Sequence, residues 1–145
     1  MNGINVETSV TLTALEMNEL VNFLYGSLDE FRDEKHDIAK AIEYALGMNG
    51  RPGGLIIQAK QEGAIAGAVV LNKTGMQGYI PENILVFIAV KKDFRGKGLG
   101  RILMERAFES TSGAIALHVE PNNPARFLYE KLGFTNKYLE MRKVL

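Results

Sequence analysis

The sequence contains no cysteine, which removes disulfides, thiolate catalysis and cysteine-ligated metals together. Histidine occurs only at His36 and His118. Two residues so far apart cannot form a convincing metal cluster, and no metal is expected. Neither sign of charge is in excess, since 17 Lys and Arg balance 17 Asp and Glu. The clustered basic surplus that a nucleic-acid surface requires is therefore missing. No apolar run approaches the ~20 residues of a membrane-spanning helix. No charged and then apolar leader opens the sequence, so a soluble, cytoplasmic protein without a membrane partner is expected. What is present is a chain of 145 residues with 46% apolar side chains. That is enough for a well-filled core, and the length suits a single domain over residues 1–145.

No repeat or low-complexity tract divides the chain. Val6, Thr8, Val10 and Leu12 alternate as an edge strand. Thr13-Ala14-Leu15-Glu16 has capping-box spacing, and Met17, Leu20, Val21, Leu24 and Leu28 follow with helical periodicity. Ser27-Leu28-Asp29-Glu30 repeats the capping signature and predicts the start of a second helix, with Phe31, Ile38, Ile42, Ala45 and Leu46 on its apolar stripe and its end at Gly47 or Gly50. After Arg51-Pro52-Gly53-Gly54, the runs Leu55–Ala59 and Ala64–Leu71 read as a hairpin closed by Lys60-Gln61-Glu62-Gly63. Ile84–Val90 is continuously apolar, the pattern of a central strand buried on both faces. Leu99–Phe108 reads as a helix, Ala114–Val119 as a strand, Pro124–Leu132 as a helix with proline in its first turn, and Tyr138–Val144 as a last strand. The predicted fold is α/β (mixed α+β), a central mixed sheet with helices on both faces in the order β-αα-βββ-α-β-α-β.

The most informative segment is Arg95-Gly96-Lys97-Gly98-Leu99-Gly100-Arg101. It follows the most apolar strand and opens a helix. Alternate glycines leave the backbone bare, so successive N–H groups can converge on an anion. The helix N-terminus adds partial positive charge, and Arg95, Lys97 and Arg101 add full charges. A pyrophosphate suits that arrangement better than the plainer alternative of an ordinary tight turn. A P-loop is excluded because Gly98 follows Lys97 where Ser or Thr is required. A dinucleotide fingerprint fits less well, since Arg101 stands in place of the third glycine and the preceding strands form a hairpin, although Glu120 lies where a ribose-binding acid belongs.

Arg95-Gly96-Lys97-Gly98-Leu99-Gly100 resembles the Arg/Gln-x-x-Gly-x-Gly/Ala signature of the GCN5-related N-acetyltransferase (GNAT) superfamily, with Val90 similar to the valine that closes its fourth strand. The block Leu117–Phe134 resembles the second family signature, a strand, then Asn, then a helix ending Tyr-x-x-x-Gly-Phe. Asn122 and Asn123 both fill the asparagine position, because the gap to Tyr129 is short. The tail beyond Gly133 has room for one strand where the family usually has two.

The resemblance implies acetyl transfer from acetyl-CoA to a primary amine by direct attack in a ternary complex. It implies that the coenzyme is held by Ile88, Ala89 and Val90 at the end of the fourth strand, by residues 95–101, by Asn122 or Asn123, and by Tyr129. A backbone N–H near Ile88 would polarise the thioester carbonyl. Tyr129 matches the family tyrosine that protonates the leaving sulfur, a role open to a phenol of pKa ~10; the plainer alternative is a ring that anchors the helix. An alkylamine of pKa ~10.4 must lose a proton before it attacks. Many members carry a glutamate where Ile84 stands, which leaves Glu82, His118 or a water relay as the base. His36, among acidic neighbours, reads as solvated.

The acceptor is expected where the two N-terminal helices meet the loops 72–83 and 136–138. Asp29, Glu30, Asp33 and Glu34 there would attract a cation, or else simply favour a helix start. Small-molecule and protein amines both remain open, as does a homodimer. A non-catalytic acyl-CoA sensor, which would keep the glycine turn and need no base, is the competing function.

Overall fold

The computed structural model describes residues 3–145. Five strands form one sheet in the order β1-β2-β3-β4-β5. They are β1 (Ile4–Ser9), β2 (Gly54–Gln61), β3 (Ala64–Lys73), β4 (Asn83–Val90) and β5 (Ile115–Leu117). The first four pair antiparallel, and β5 lies parallel to β4. The helices are α1 (Ala14–Ser27), α2 (Lys35–Ala45), α3 (Leu99–Glu109) and α4 (Ala125–Lys131).

The expected two-sided architecture holds. On one face Leu20, Val21 and Leu24 of α1 and Ile38, Ile42 and Ala45 of α2 bury Ile56, Ala68, Val70, Phe87 and Ala89. On the other, Leu99, Leu103, Met104 and Ala107 of α3 and Tyr129 of α4 cover Leu55, Ile57, Val69, Leu71 and Leu85. The hydrophobic effect acting on both faces of one sheet fixes the layer order. The β2–β3 hairpin closes through Glu62 and Gly63, both with positive φ (52° and 82°), as a two-residue turn matched to strand twist requires.

Two expectations are corrected. The capping signature at Ser27–Glu30 does not start a helix. Those residues end α1 and enter a single 3₁₀ turn (Asp29–Phe31), and α2 begins at Lys35 after Glu34. Asp29 takes a positive φ of 50°, which breaks the helical path at that point, and the Arg95 guanidinium donates to the Ser27 carbonyl at 2.8 Å and faces the Asp29 carboxylate at 3.8 Å. β4 packs on both faces as expected, with Leu85, Ile88 and Val90 against the α3–α4 cluster and Val86, Phe87 and Ala89 against the α1–α2 cluster. A register shift opposite Val70/Leu71 pairs Val70 with Phe87 and Leu71 with Leu85. Val86 is thus an extra residue, a bulge that turns Leu85 and Phe87 to opposite faces. Second, no strand forms at Tyr138–Val144, which is unpaired and exposed.

Candidate active site

The β4–β5 ladder pairs Asn83 with Ile115, Ile84 with Ala116 and Leu85 with Leu117, and there it ends. β4 continues to Val90, paired on its other side with β3. From the Val86 bulge onward, the edge of β4 that faced β5 is therefore open. Backbone groups of successive strand residues point to opposite edges. The Lys91 N–H donates to Ala66 O of β3 at 2.8 Å, so the N–H of Ile88, three residues earlier, points into the open cleft. Ala89 faces α1 and α2 at the cleft floor, while Val90 packs towards α3.

β4 leads through a 3₁₀ turn (Lys92–Phe94) to the glycine segment. Gly96 and Gly98 have φ of 74° and 86°, and a Cβ on either would meet nothing within 4 Å. Gly98 is the N-cap of α3 and no side chain caps the helix. The first intrahelical bond there is Ile102 N–H to Gly98 O, at 3.1 Å. The amides of Leu99, Gly100 and Arg101 thus precede the helical ladder and are available to an anion. Open space over two left-handed glycines, beside uncapped helix amides, fits the diphosphate of a coenzyme. Gly100 serves packing as well, since a Cβ there would stand 3.1 Å from Leu128 of α4.

The cations divide. Arg95 donates Nε–H to Val90 O at 2.9 Å and an Nη2 hydrogen to Ser27 O at 2.8 Å. It joins the end of β4 to the C-terminus of α1, where its charge also complements the helix dipole. Arg101 pairs with Glu105 one turn along α3 at 2.9 Å. Lys97 is exposed at the turn itself.

Tyr129 is buried (8% exposed) in the α3–α4 cluster, edge-on to Phe134 at 5.9 Å. Burial pushes its phenol up to about 12, so the hydroxyl stays protonated throughout the neutral range. His118 follows β5 directly. Val119 packs on the α3–α4 cluster, so the exposed His118 points to the opposite, α1–α2 side of the cleft. Asn123 Oδ1 accepts from the Ala125 N–H at 2.9 Å and so starts α4; Asn122 beside it is exposed.

Glu82 lies at the opposite end of β4 from the glycine turn. Its Oε1 accepts from Ala114 N–H at 3.0 Å and its Oε2 from Gly78 N–H at 3.3 Å. The Ala114 amide above all holds its carboxyl below the usual range, which makes it a poorer base. Next to it is Asn83, a residue that sequence reasoning missed. It is 1% exposed, donates Nδ2 hydrogens to Ser112 O (2.8 Å) and Ala114 O (3.2 Å), and accepts from Thr111 Oγ1–H at 3.0 Å. An amide opening the run Asn83–Val90 was the available signal, because buried polar groups need partners. In the loop 136–138, where the acceptor is expected, all three residues are exposed, Tyr138 by 79%.

Among the described residues no cluster of three or more His, Asp or Glu could hold a metal ion, and no helix is long and apolar enough to cross a membrane. The model of the acetyltransferase (GNAT) domain matches residues 52–136. The chain is 36% identical over 84 residues to a 5-NmdU N-acetyltransferase of Pseudomonas phage PaMx11, a match that spans 57% of this chain and 58% of that relative. Among solved structures, a protein of Pyrococcus horikoshii superposes with a TM-score of 0.71 at 27% identity, covering 95% of this chain and 92% of that one. A GNAT-family acetyltransferase of Streptococcus pneumoniae superposes with a TM-score of 0.72 at 16% identity, covering 98% of both chains. The family match extends from the β2–β3 hairpin through the opened strand pair and the glycine turn to the residues just past α4, and on that ground the chain belongs to the GNAT acetyltransferase family.

Proposed function

We propose that this protein transfers the acetyl group of acetyl-CoA to a primary amine, by direct attack of the amine on the thioester within a ternary complex. The single observation that carries this reading is the cleft left where β5 stops pairing while β4 runs on to bare amides at Gly96–Arg101. Coenzyme A supplies an activated acyl group on a good leaving thiolate. The residues of this chain supply the rest. The amides of 96–101 bind the diphosphate, with Lys97 adding charge at the rim. The open edge of Ile88–Val90 continues as a strand-like track for the pantetheine arm, and the Ile88 N–H is placed to donate to the carbonyl oxygen as negative charge develops there. Much of the acceleration then comes from holding amine and thioester together.

Tyr129 donates a hydrogen bond to the departing sulfur. Its raised pKa would weaken it as an acid in water, but the apolar setting that raises the phenol also raises a thiol beside it, so the pair stays matched. His118 faces the acceptor side and takes the amine proton, directly or through water. Glu82 is assigned to loop closure and not to proton removal, because both its oxygens are committed to backbone amides. Asn123 is taken up in starting α4, which leaves exposed Asn122 as the asparagine that contacts the coenzyme.

The test is release of free thiol from acetyl-CoA with a panel of amines that includes 5-NmdU, named for the phage relative, together with polyamines, amino acids and peptides. Tyr129→Phe is expected to cut turnover by about 10–100-fold with coenzyme binding retained. His118→Ala is expected to lower turnover with coenzyme binding retained. Coenzyme binding without turnover across the panel would replace this reading with the acyl-CoA sensor.

A further inference from the structure

Arg95 belongs to the segment that reads as a phosphate grip, yet its side chain is spent on α1. The bare amides that would hold the phosphates open α3, on the α3–α4 face of the sheet. The guanidinium serves the other face. Its Nη2–H donates to Ser27 O at the end of α1 (2.8 Å) and Nη2 lies 3.8 Å from the Asp29 carboxylate, while Nε–H holds Val90 O at the end of β4 (2.9 Å). The last turn of α1 carries no basic residue of its own, so Arg95 supplies the cation that complements the negative end of that helix.

The connection that follows, residues 28–34 between α1 and α2, has little else to hold it. From Asp29 to Asp37 only Phe31 is half-buried, and the rest are exposed. Asp29 has a φ of 50°, and a left-handed residue other than glycine persists where its surroundings fix it. The remaining bonds are local: the amides of Leu28, Phe31 and Arg32 reach the carbonyls of Leu24, Leu28 and Asp29 at 3.1, 3.0 and 3.3 Å, and Arg32 lies back over the Tyr25 ring of α1 at 4.0 Å. Arg95 is what joins the end of α1 to the end of β4. That junction borders the cleft. The glycine turn and Tyr129 both lie with α3 and α4, so the coenzyme comes from that side. The amine is left the α1–α2 side, where Phe87 and Ala89 of β4 pack under the two helices.

We propose that Arg95 is a positioning residue for the acceptor amine and not a ligand of the coenzyme: it fixes residues 28–34 as the wall of the cleft on the side from which the amine attacks. The inference rests on the acetyl-transfer reading. Holding an amine against a thioester depends on small distances, so a wall that loses its tie to β4 holds the acceptor less well, while the amides of 96–101 keep their grip on the diphosphate.

Arg95→Ala tests this on the full chain. The side chain is nearly half exposed, so water can take its place on both carbonyls, and an unchanged circular dichroism spectrum is expected. Coenzyme A affinity by calorimetry is expected to stay within about threefold of the parent. The amides of Leu28, Phe31 and Arg32 are expected to exchange at least about 10-fold faster with solvent deuterium. With the panel amine that the parent acetylates fastest, KM for the amine is expected to rise at least about 10-fold while kcat changes less than about threefold. Arg95→Lys keeps the charge beside Asp29 without the paired donors, and its KM is expected to fall between the two. Lost coenzyme affinity with an unchanged acceptor KM would return Arg95 to the diphosphate and overturn the proposal, as would an active Arg95→Ala protein whose KM, or whose exchange at residues 28–32, matches the parent. A parent that binds coenzyme A and acetylates no amine is a different failure: it overturns the acetyl-transfer reading, and the acceptor role of Arg95 with it, before any variant is made.

Discussion

The two ends of β4 border the same neighbour, β5, and are finished in opposite ways. At the Asn83 end the strands pair for three residues, and side chains latch the junction: Asn83 to Ser112, Ala114 and Thr111, and Glu82 to Ala114 and Gly78. At the Val90 end the pairing with β5 has ceased, the edge amides have no partner among the described residues, and the strand's last carbonyl accepts from Arg95, which ties it to α1 and not to β5. A sheet cannot leave backbone donors unpaired without a cost unless water or a ligand takes them. The latched end keeps β4 and β5 in register, so that the open end has a fixed width. One end is structural and the other is kept for a ligand, and substitutions at the two should separate stability from binding.

The largest expected effect lies at the open end. Gly98→Glu places a carboxylate where a diphosphate would lie, at a position with φ of 86° and empty space above it. Coenzyme A affinity, measured by calorimetry, should fall at least ~100-fold. The left-handed backbone should cost roughly 1–2 kcal/mol of stability and leave the fold intact. Unchanged affinity would remove residues 96–101 from the coenzyme site and with them the contrast between the ends.

Asn83→Ala should do the reverse. It removes the side-chain bonds to the Ser112 and Ala114 carbonyls and to the Thr111 hydroxyl while the Asn83 N–H still holds Ala114 O, and a loss of about 1–2 kcal/mol in urea unfolding is expected, with coenzyme affinity changed far less than by Gly98→Glu. Equal damage to binding and stability would mean that the two ends are not separable.

These elements also differ in how far the sequence discloses them. The Thr13–Glu16 box forms as spaced, with bonds of 2.8 and 3.1 Å, because its partners are three residues apart. The same spacing at Ser27–Glu30 starts no helix, because Asp29 stands at a φ of 50° and Ser27 still belongs to α1, its carbonyl bonded to Arg95, 68 positions away. Arg95 itself reads as a phosphate cation until that contact is known. Gly96 and Gly98 disclose the turn because positive φ is a local demand. The Val86 bulge leaves no trace in an unbroken apolar run, since an extra residue in a strand is defined by its partner's register. Tyr138–Val144 has the apolar residues of a strand, but a strand exists only against a partner, and among the described residues this segment pairs with none.

The smallest effect sharpens the latched end and depends on pH. Glu82 accepts from two backbone amides, and its pKa is lowered chiefly by the Ala114 N–H. A carboxyl whose folded pKa lies below its unfolded value contributes stability above the unfolded pKa and loses it as pH falls through the folded one. Glu82→Gln cannot titrate and keeps only one acceptor oxygen. It should therefore be less stable than the parent near pH 7, and the gap should close as the parent is protonated below about pH 4. Urea midpoints of both proteins across that range measure it. A gap that stays constant down to acid pH would show that the carboxylate's charge contributes nothing to holding the 78–82 loop against Ala114, and that Asn83 alone seals this end of the strand pair.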